Sequence, residues 1–187
     1  SSELMTNVSI SLVNMLYNFQ LMRFAGEDGV AAYGVIMYVN FIFIGVFVGY
    51  SIGSAPIVGY HFGAQNHDEL KSLFSKSLVL LGGASLVLTV SAALLAGLLA
   101  GIFVSYDLAL LEMTRRGFRI YSVAFLMMGF NIFASAFFTA LNDGLVSAFL
   151  SFLRTLVFQI AAVLILPIFL ELDGVWWSIA AAEGVAL

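Results

Sequence analysis

Long apolar stretches, separated by short polar ones, dominate the chain. The 39 residues between Asp28 and Asp68, and the 30 between Lys76 and Asp107, include no Asp, Glu, Lys or Arg. A membrane-spanning helix needs about 20 mostly apolar residues, whereas strands of a membrane barrel alternate apolar and polar positions over about 10. Because these runs are continuous, and because a helix satisfies its own backbone in lipid, the pattern predicts an all-α integral membrane protein.

The charged and turn-forming residues between the runs divide the chain into six predicted spans within one unit, residues 1–187. Their approximate limits are 4–24, 31–60, 76–104, 115–141, 145–170 and 174–187. The last is only about 21 Å long at a rise of about 1.5 Å per residue, less than a hydrocarbon core of about 30 Å. The chain also begins with Ser1 and Ser2 instead of Met. We therefore expect it to be a piece of a larger protein.

Composition supports a lipid environment but does not give the orientation. Asp, Glu, Lys and Arg make up 10% of the chain and apolar residues 62%, whereas a soluble domain is about 25% charged. This balance excludes an ordinary soluble domain and a disordered chain, and the lack of cysteine excludes a disulfide scaffold. Four basic residues in the loops of one side and three in those of the other leave the sidedness undecided.

Polar residues in the first span lie at helical spacing and form what we call the first stripe. They follow one another at intervals of 4, 4, 3 and 4 residues, which places them on one face of a helix. Such a face is costly against lipid, so it either lines a cavity or bonds to a neighbouring helix. Three asparagines on one face favour the cavity. The first stripe consists of Glu3, Asn7, Ser11, Asn14 and Asn18.

Similar stripes recur later in the chain. The fourth span has Asn131, Ser135, Thr139 and Asn142, and the fifth has Ser147, Ser151, Thr155 and Gln159. From these we select Ser135, Thr139 and Gln159 as further cavity-lining candidates.

Two charged residues lie inside the fifth and sixth runs. Arg154 is expected to extend its side chain to the membrane interface rather than to pair with Asp143 or with an acidic group in the part of the protein outside this chain. Glu183 is an isolated carboxylate in an apolar run, which makes it a functional candidate.

Pro56 follows a series of glycines spaced by four, Gly45, Gly49 and Gly53. Proline removes a backbone hydrogen bond, so we predict a helix kink or break at Pro56. Residues 49–53 also match G-x-S-x-G, but a hydrolase elbow needs a strand before the serine, and none is predicted here. An intramembrane protease is therefore the less favoured alternative, and we expect no enzyme activity.

No nucleotide-binding loop and no convincing set of metal ligands stands out in the sequence, so we expect neither cofactor nor metal and no nucleic-acid partner. Polar-striped helices with a glycine–proline break favour secondary transport over a channel or a scaffold.

Several segments resemble one transporter family. Residues 53–66 (GSAPIVGYHFGAQN), 137–144 (FFTALNDG) and 151–155 (SFLRT) are similar to signatures of multidrug and toxic compound extrusion (MATE) transporters, and 2–4 (SEL) and 29–34 (GVAAYG) to the start of that family's second half. The most similar branch is the MepA-like one.

The resemblance implies a fold, a location and a function. It implies a bacterial inner-membrane transporter with twelve helices in two lobes, of which this chain would be the second, paired with an N-terminal lobe. It also implies export of amphipathic, often cationic drugs in exchange for Na⁺ or H⁺ by alternating access. A lipid-linked oligosaccharide flippase of the same superfamily is the alternative, although its cavity would be more cationic than these neutral stripes.

The resemblance also implies two positions for cation coupling. Glu3 matches the family's acidic residue in helix seven, and Asn131 occupies the position of a second acid in helix ten. Because Asn131 is neutral, a site built from two carboxylates is not expected, and coupling would rest on Glu3 or on the other lobe.

Overall fold

The computed structural model describes residues 2–187, with side chains from Val8 onward. The described elements are helical throughout, which confirms the predicted all-α class. In chain order they are α1 (Ser2–Gly63), α2 (His67–Val104), α3 (Leu108–Ser122), α4 (Phe125–Ala140), α5 (Gly144–Phe152), a π-helical segment (Leu153–Phe158) and α6 (Gln159–Ala186).

The long helix α1 doubles back on itself at Gly26. That residue has φ 63° and ψ −149°, a conformation that glycine adopts readily because it lacks Cβ. On either side of it, the rings of Tyr17 and Tyr33 stack with centroids 5.4 Å apart and planes within 5° of parallel. The reversal therefore makes α1 a helical hairpin of two segments, 2–25 and 27–63.

Helix α6 doubles back in the same way at Glu171, where φ is 51° and ψ −129°. Phe158 and Val185, which lie on opposite sides of the reversal, line the same groove. Close approach of the two segments requires glycine at position 174, because a Cβ there would lie 2.5 Å from the carbonyl of Leu166.

Pro56 lies within α1, whose backbone stays helical as far as Gly63. The backbone therefore does not break at Pro56, and the reversal of α1 lies at Gly26 instead. The predicted kink at Pro56 stays a prediction.

The acidic and amide residues between the apolar runs cap the helices. Asp107 Oδ1 accepts the backbone N–H of Ala109 at 2.8 Å and starts α3. Asp143 and Asn66 do the same for α5 and α2. Each cap satisfies a backbone donor that the first helical turn leaves unpaired. The polar residues that separate the runs in the sequence are thus the residues that begin the helices.

The described helices have the length and hydropathy expected in lipid. Three stretches qualify as membrane spans by these measures, 8–63, 67–104 and 144–186, and α3 with α4 form a fourth if that pair, bent by 50°, is one span. Large apolar side chains such as Val79, Leu94 and Phe169 point outward, each at least 77% exposed. The core between the helices contains the buried rings of Phe47, Phe125 and Trp176.

Candidate functional site

A buried carboxylate lies beside polar side chains from other helical elements. Glu183, on the second segment of α6, is 1% exposed. The Asn131 side chain donates from Nδ2 to Glu183 Oε2 at 2.8 Å and to the backbone oxygen of Glu183 at 2.9 Å. Asn131, the residue at the predicted second coupling position, is thus held against an acid from another helix.

Arg154 approaches the other oxygen of the same carboxylate. Its Nε lies 3.5 Å from Glu183 Oε1, and its side chain is 23% exposed. The expectation that Arg154 reaches the membrane interface is therefore wrong, because α6 brings Glu183 within ion-pairing distance. The pair is loose, since the buried Nε makes no hydrogen bond to any described residue.

The backbone around Arg154 is unusual. Arg154 belongs to the π-helical segment, in which each turn accommodates about one residue more than an α-helix. Such segments are rare and often occur at functional sites.

A cavity of about 30 Å³ lies beside the ion pair, bordered by Asn131, Ser135, Ser151 and Arg154 among others. That space is large enough to hold a water molecule. Together, these features place polar hydroxyl groups within reach of the arginine.

The stripes of the fourth and fifth spans bond to each other. Ser135 Oγ lies 2.9 Å from the hydroxyls of both Ser147 and Ser151, and Thr139 Oγ1 donates to Ser147 Oγ at 2.8 Å. We call Ser135, Thr139, Ser147 and Ser151 the serine cluster. Of the two predicted cavity-lining residues in it, Ser135 borders the small cavity described above, while Thr139 is exposed and bonded across to α5. The cluster's main structural role is to join α4 and α5.

The described part of the first stripe faces outward. Ser11, Asn14 and Asn18 are exposed. Asn14 Oδ1 accepts a hydrogen bond from Tyr33 Oη at 3.1 Å, and Asn18 donates to the Asn14 backbone oxygen at 3.0 Å. The side chains of Glu3 and Asn7 lie outside the described residues.

The remaining cavity-lining candidate lies elsewhere. Gln159 is half-buried at the start of α6, directly after the π-helical segment.

Two tyrosines that the sequence did not single out lie near the carboxylate. Tyr17 and Tyr121 are buried and lie near enough to Glu183 to interact with it electrostatically. Tyr33 stacks on Tyr17 and donates a hydrogen bond to Asn14, so the two rings connect the first stripe with the surroundings of Glu183. A tyrosine in an apolar helix gives no indication that it lies near an acid of a distant segment.

Comparison with known proteins agrees with the helical architecture. The family model described as MatE matches residues 4–165. Among solved structures, an inward-facing multidrug resistance MATE transporter of the MOP superfamily is 23% identical, with a TM-score of 0.91, and covers 97% of this chain and 42% of its own. An outward-facing structure of such a transporter gives 23% identity and a TM-score of 0.89, with 97% of this chain and 41% of that one covered.

A third solved structure, of the Vibrio cholerae transporter VcmN in a mutant form, is 17% identical with a TM-score of 0.90, and covers 99% of this chain and 42% of its own. The chain therefore spans well under half the length of the structures that it matches. Among curated proteins, none matches the sequence.

Proposed function

Because the chain belongs to the MATE family, we propose that it forms one lobe of a transporter that exports amphipathic, often cationic drugs in exchange for Na⁺ or H⁺. The same proposal assigns the chain to the C-terminal half of the transporter, to the MepA-like branch and to the bacterial inner membrane. The match to 41–42% of longer chains supports it, since such coverage is what one of two lobes would give.

The lobe would cross the membrane six times. The hairpin breaks at Gly26 and Glu171 divide α1 and α6, so that the helical stretches are 2–25, 27–63, 67–104, 108–140, 144–170 and 172–186. In this assignment α3 and α4 are one bent span. These limits lie close to the six runs read from the sequence.

One observation carries the transport mechanism. The chain fits an inward-facing and an outward-facing structure almost equally well, with TM-scores of 0.91 and 0.89. A lobe that keeps its shape in both states can alternate access by moving as a body against its partner lobe. The exposed residues Asn14 and Asn18 supply a polar face that suits the cavity between two lobes.

Coupling through Glu3 can be tested by transport of a fluorescent cation. The complete protein that contains this chain is reconstituted in liposomes, and ethidium export is followed under a proton gradient or a Na⁺ gradient. Glu3→Gln removes the only ionisable group of the first stripe, so gradient-driven export is expected to fall at least about tenfold.

The matched control for this experiment is Glu27→Gln, which removes an exposed carboxylate at the hairpin turn. Export by Glu3→Gln at the level of this control would contradict the role of Glu3. If the wild-type protein exported no cationic dye under either gradient, the proposed function itself would fail.

The flippase alternative receives less support. A pocket for anionic lipid-linked sugars would need basic side chains, and the described residues of the first stripe, Ser11, Asn14 and Asn18, are neutral.

A further inference from the structure

Glu183 needs compensation for its charge. A carboxylate that is 1% exposed in a membrane protein is stable only when a cation, a proton or a set of hydrogen bonds neutralises it. Asn131 supplies one side-chain hydrogen bond, and Arg154 supplies a positive charge at 3.5 Å without a hydrogen bond from its Nε. A strong charge-assisted pair would have its nitrogen and oxygen about 2.8 Å apart. The ion pair therefore compensates the charge but holds the arginine weakly.

Among the described residues, the groups that face Glu183 come from four elements, and Arg154 is the charged one. Tyr17 from α1 and Tyr121 from α3 interact with the carboxylate electrostatically, Asn131 from α4 bonds to it, and Arg154 belongs to the π-helical segment. The two tyrosines and the asparagine are neutral. Among these described groups the positive and negative charges therefore balance one to one, and a proton added to Glu183 would remove the negative charge that faces Arg154.

Arg154 also has polar neighbours on elements other than α6. It borders the small cavity together with the hydroxyl-bearing residues Ser135 and Ser151. The π-helical turn that carries it has a wider hydrogen-bond register, and a return to the α-helical register would rotate the arginine relative to α6. The cavity therefore gives Arg154 polar neighbours other than Glu183.

From this arrangement we propose that Glu183 is a proton-exchange site of this lobe and that Arg154 is its displaceable counter-ion. A proton arriving from water binds one oxygen of the carboxylate and converts Glu183 to the neutral acid. Arg154 keeps its charge and moves toward Ser135 and Ser151. Loss of the proton restores the ion pair. Asn131 is a positioning residue, because its amide holds the carboxylate in both forms.

A proton fits this site better than a metal cation does. Hard metal cations are bound by several oxygen ligands at once. Among the described residues no three Asp, Glu, His or Cys side chains converge, and the positive charge of Arg154, 3.5 Å from Glu183 Oε1, would repel a metal cation. A proton needs one carboxylate oxygen and no further ligand. The use of this exchange to drive drug export rests on the proposed function, whereas the exchange itself does not.

Infrared difference spectroscopy of the complete protein in nanodiscs detects protonation of the Glu183 carboxylate directly. On acidification, a C=O stretching band of a buried carboxylic acid is expected in the wild type and in the control Glu171→Gln, which removes an exposed carboxylate of the same helix. The band is expected to be absent in Glu183→Gln, whose amide can still accept the hydrogen bond from Asn131. Persistence of the full band in Glu183→Gln would overturn the proposal, as would a band that responds to Na⁺ and not to pH.

Arg154→Gln tests the counter-ion. Removing the positive charge favours the neutral acid, so the band is expected to appear at a higher pH than in the wild type. An unchanged pH response would overturn the role of Arg154.

If Glu183→Gln does not fold, the double variant Arg154→Gln/Glu183→Gln removes both charges and keeps polar groups of similar size. Its loss of the band supports the proposal, and its retention overturns it.

Ethidium export driven by a proton gradient, measured on the same variants, separates this inference from the proposed function. Export that falls to the passive leak in Glu183→Gln, with Glu171→Gln unaffected, supports a coupled exchange. Unchanged export in Glu183→Gln overturns the coupling. A wild-type protein that shows the titrating band but exports no dye supports the exchange site while the proposed function fails.

Discussion

The first stripe and the serine cluster both consist of polar residues at helical spacing, but their surroundings in the structure differ. The described part of the first stripe is exposed, whereas the serine cluster joins two helices. Asn14 and Asn18 point out of the lobe and bond mainly to their own hairpin. Ser135 and Ser147 face each other across α4 and α5, with their hydroxyl oxygens 2.9 Å apart. Equal spacing therefore predicts that residues share a face, and the arrangement of the neighbouring helices decides what that face contacts.

The difference also separates two uses of polar residues in lipid. In the serine cluster each hydroxyl bonds to a residue of another helix, so the cost of burying polar groups is offset within the lobe. The described amides of the first stripe, Asn14 and Asn18, keep much of their bonding capacity free. The proposed transporter lobe needs both kinds of polar residue, one to hold its helices together and one to face a cavity.

The largest expected effect comes from breaking the serine cluster with a bulky residue. Ser147→Leu inserts extra carbons at a buried position between α4 and α5 and removes three hydroxyl contacts. We expect the free energy of unfolding to fall by about 2–4 kcal/mol, measured by mixed-detergent unfolding of the purified protein. A loss below that of Ser135→Ala would show that the two helices are not joined through this contact.

A smaller effect is expected from removing one hydroxyl without adding volume. Ser135→Ala deletes the bonds to Ser147 and Ser151 and should lower the free energy of unfolding by about 0.6–1.7 kcal/mol, the range of interhelical hydrogen bonds in membrane proteins. The same unfolding assay applies, with Ser75→Ala, an exposed serine of α2, as the control. Equal losses in the two variants would contradict a specific role for the cluster.

The smallest effect on stability is expected in the first stripe. Asn18→Ala removes an exposed side chain whose bond is to the preceding turn, so the free energy of unfolding should change by no more than about 0.5 kcal/mol. Ethidium export by the complete protein should nevertheless decrease, because Asn18 belongs to the proposed cavity face. A destabilisation as large as that of Ser135→Ala would remove the distinction between the two stripes.

Local features of the fold were predictable because the sequence carries them locally. The apolar runs predict the helices, and Asp107 and Asp143 lie where helices begin because their side chains cap free backbone donors. Gly26 is a natural place for a reversal, since glycine tolerates positive φ. Glu171 adopts a similar backbone without any such preference, so its residue type gave no indication of the second reversal.

The centre of the candidate site was predictable only in part. Glu183 is conspicuous as a lone acid in an apolar run, and Arg154 as a lone base. Their pairing was missed because it joins elements across the reversal at Glu171, where periodicity carries no information. Asn131 meets Glu183 from 52 positions away, and the distance in the sequence hides the contact in the same way.

The single-residue reversals at Gly26 and Glu171 also bear on how the protein is made. A single helix that carries Asn14 and Asn18 partitions poorly into lipid, because its amides have no partners there. In the hairpin, the Tyr33 hydroxyl donates a hydrogen bond to Asn14. With a turn of one residue, the second helix follows the first from the insertion machinery immediately. We expect α1 to leave the translocon as a paired unit, so that biogenesis of the lobe proceeds by hairpins instead of by single helices.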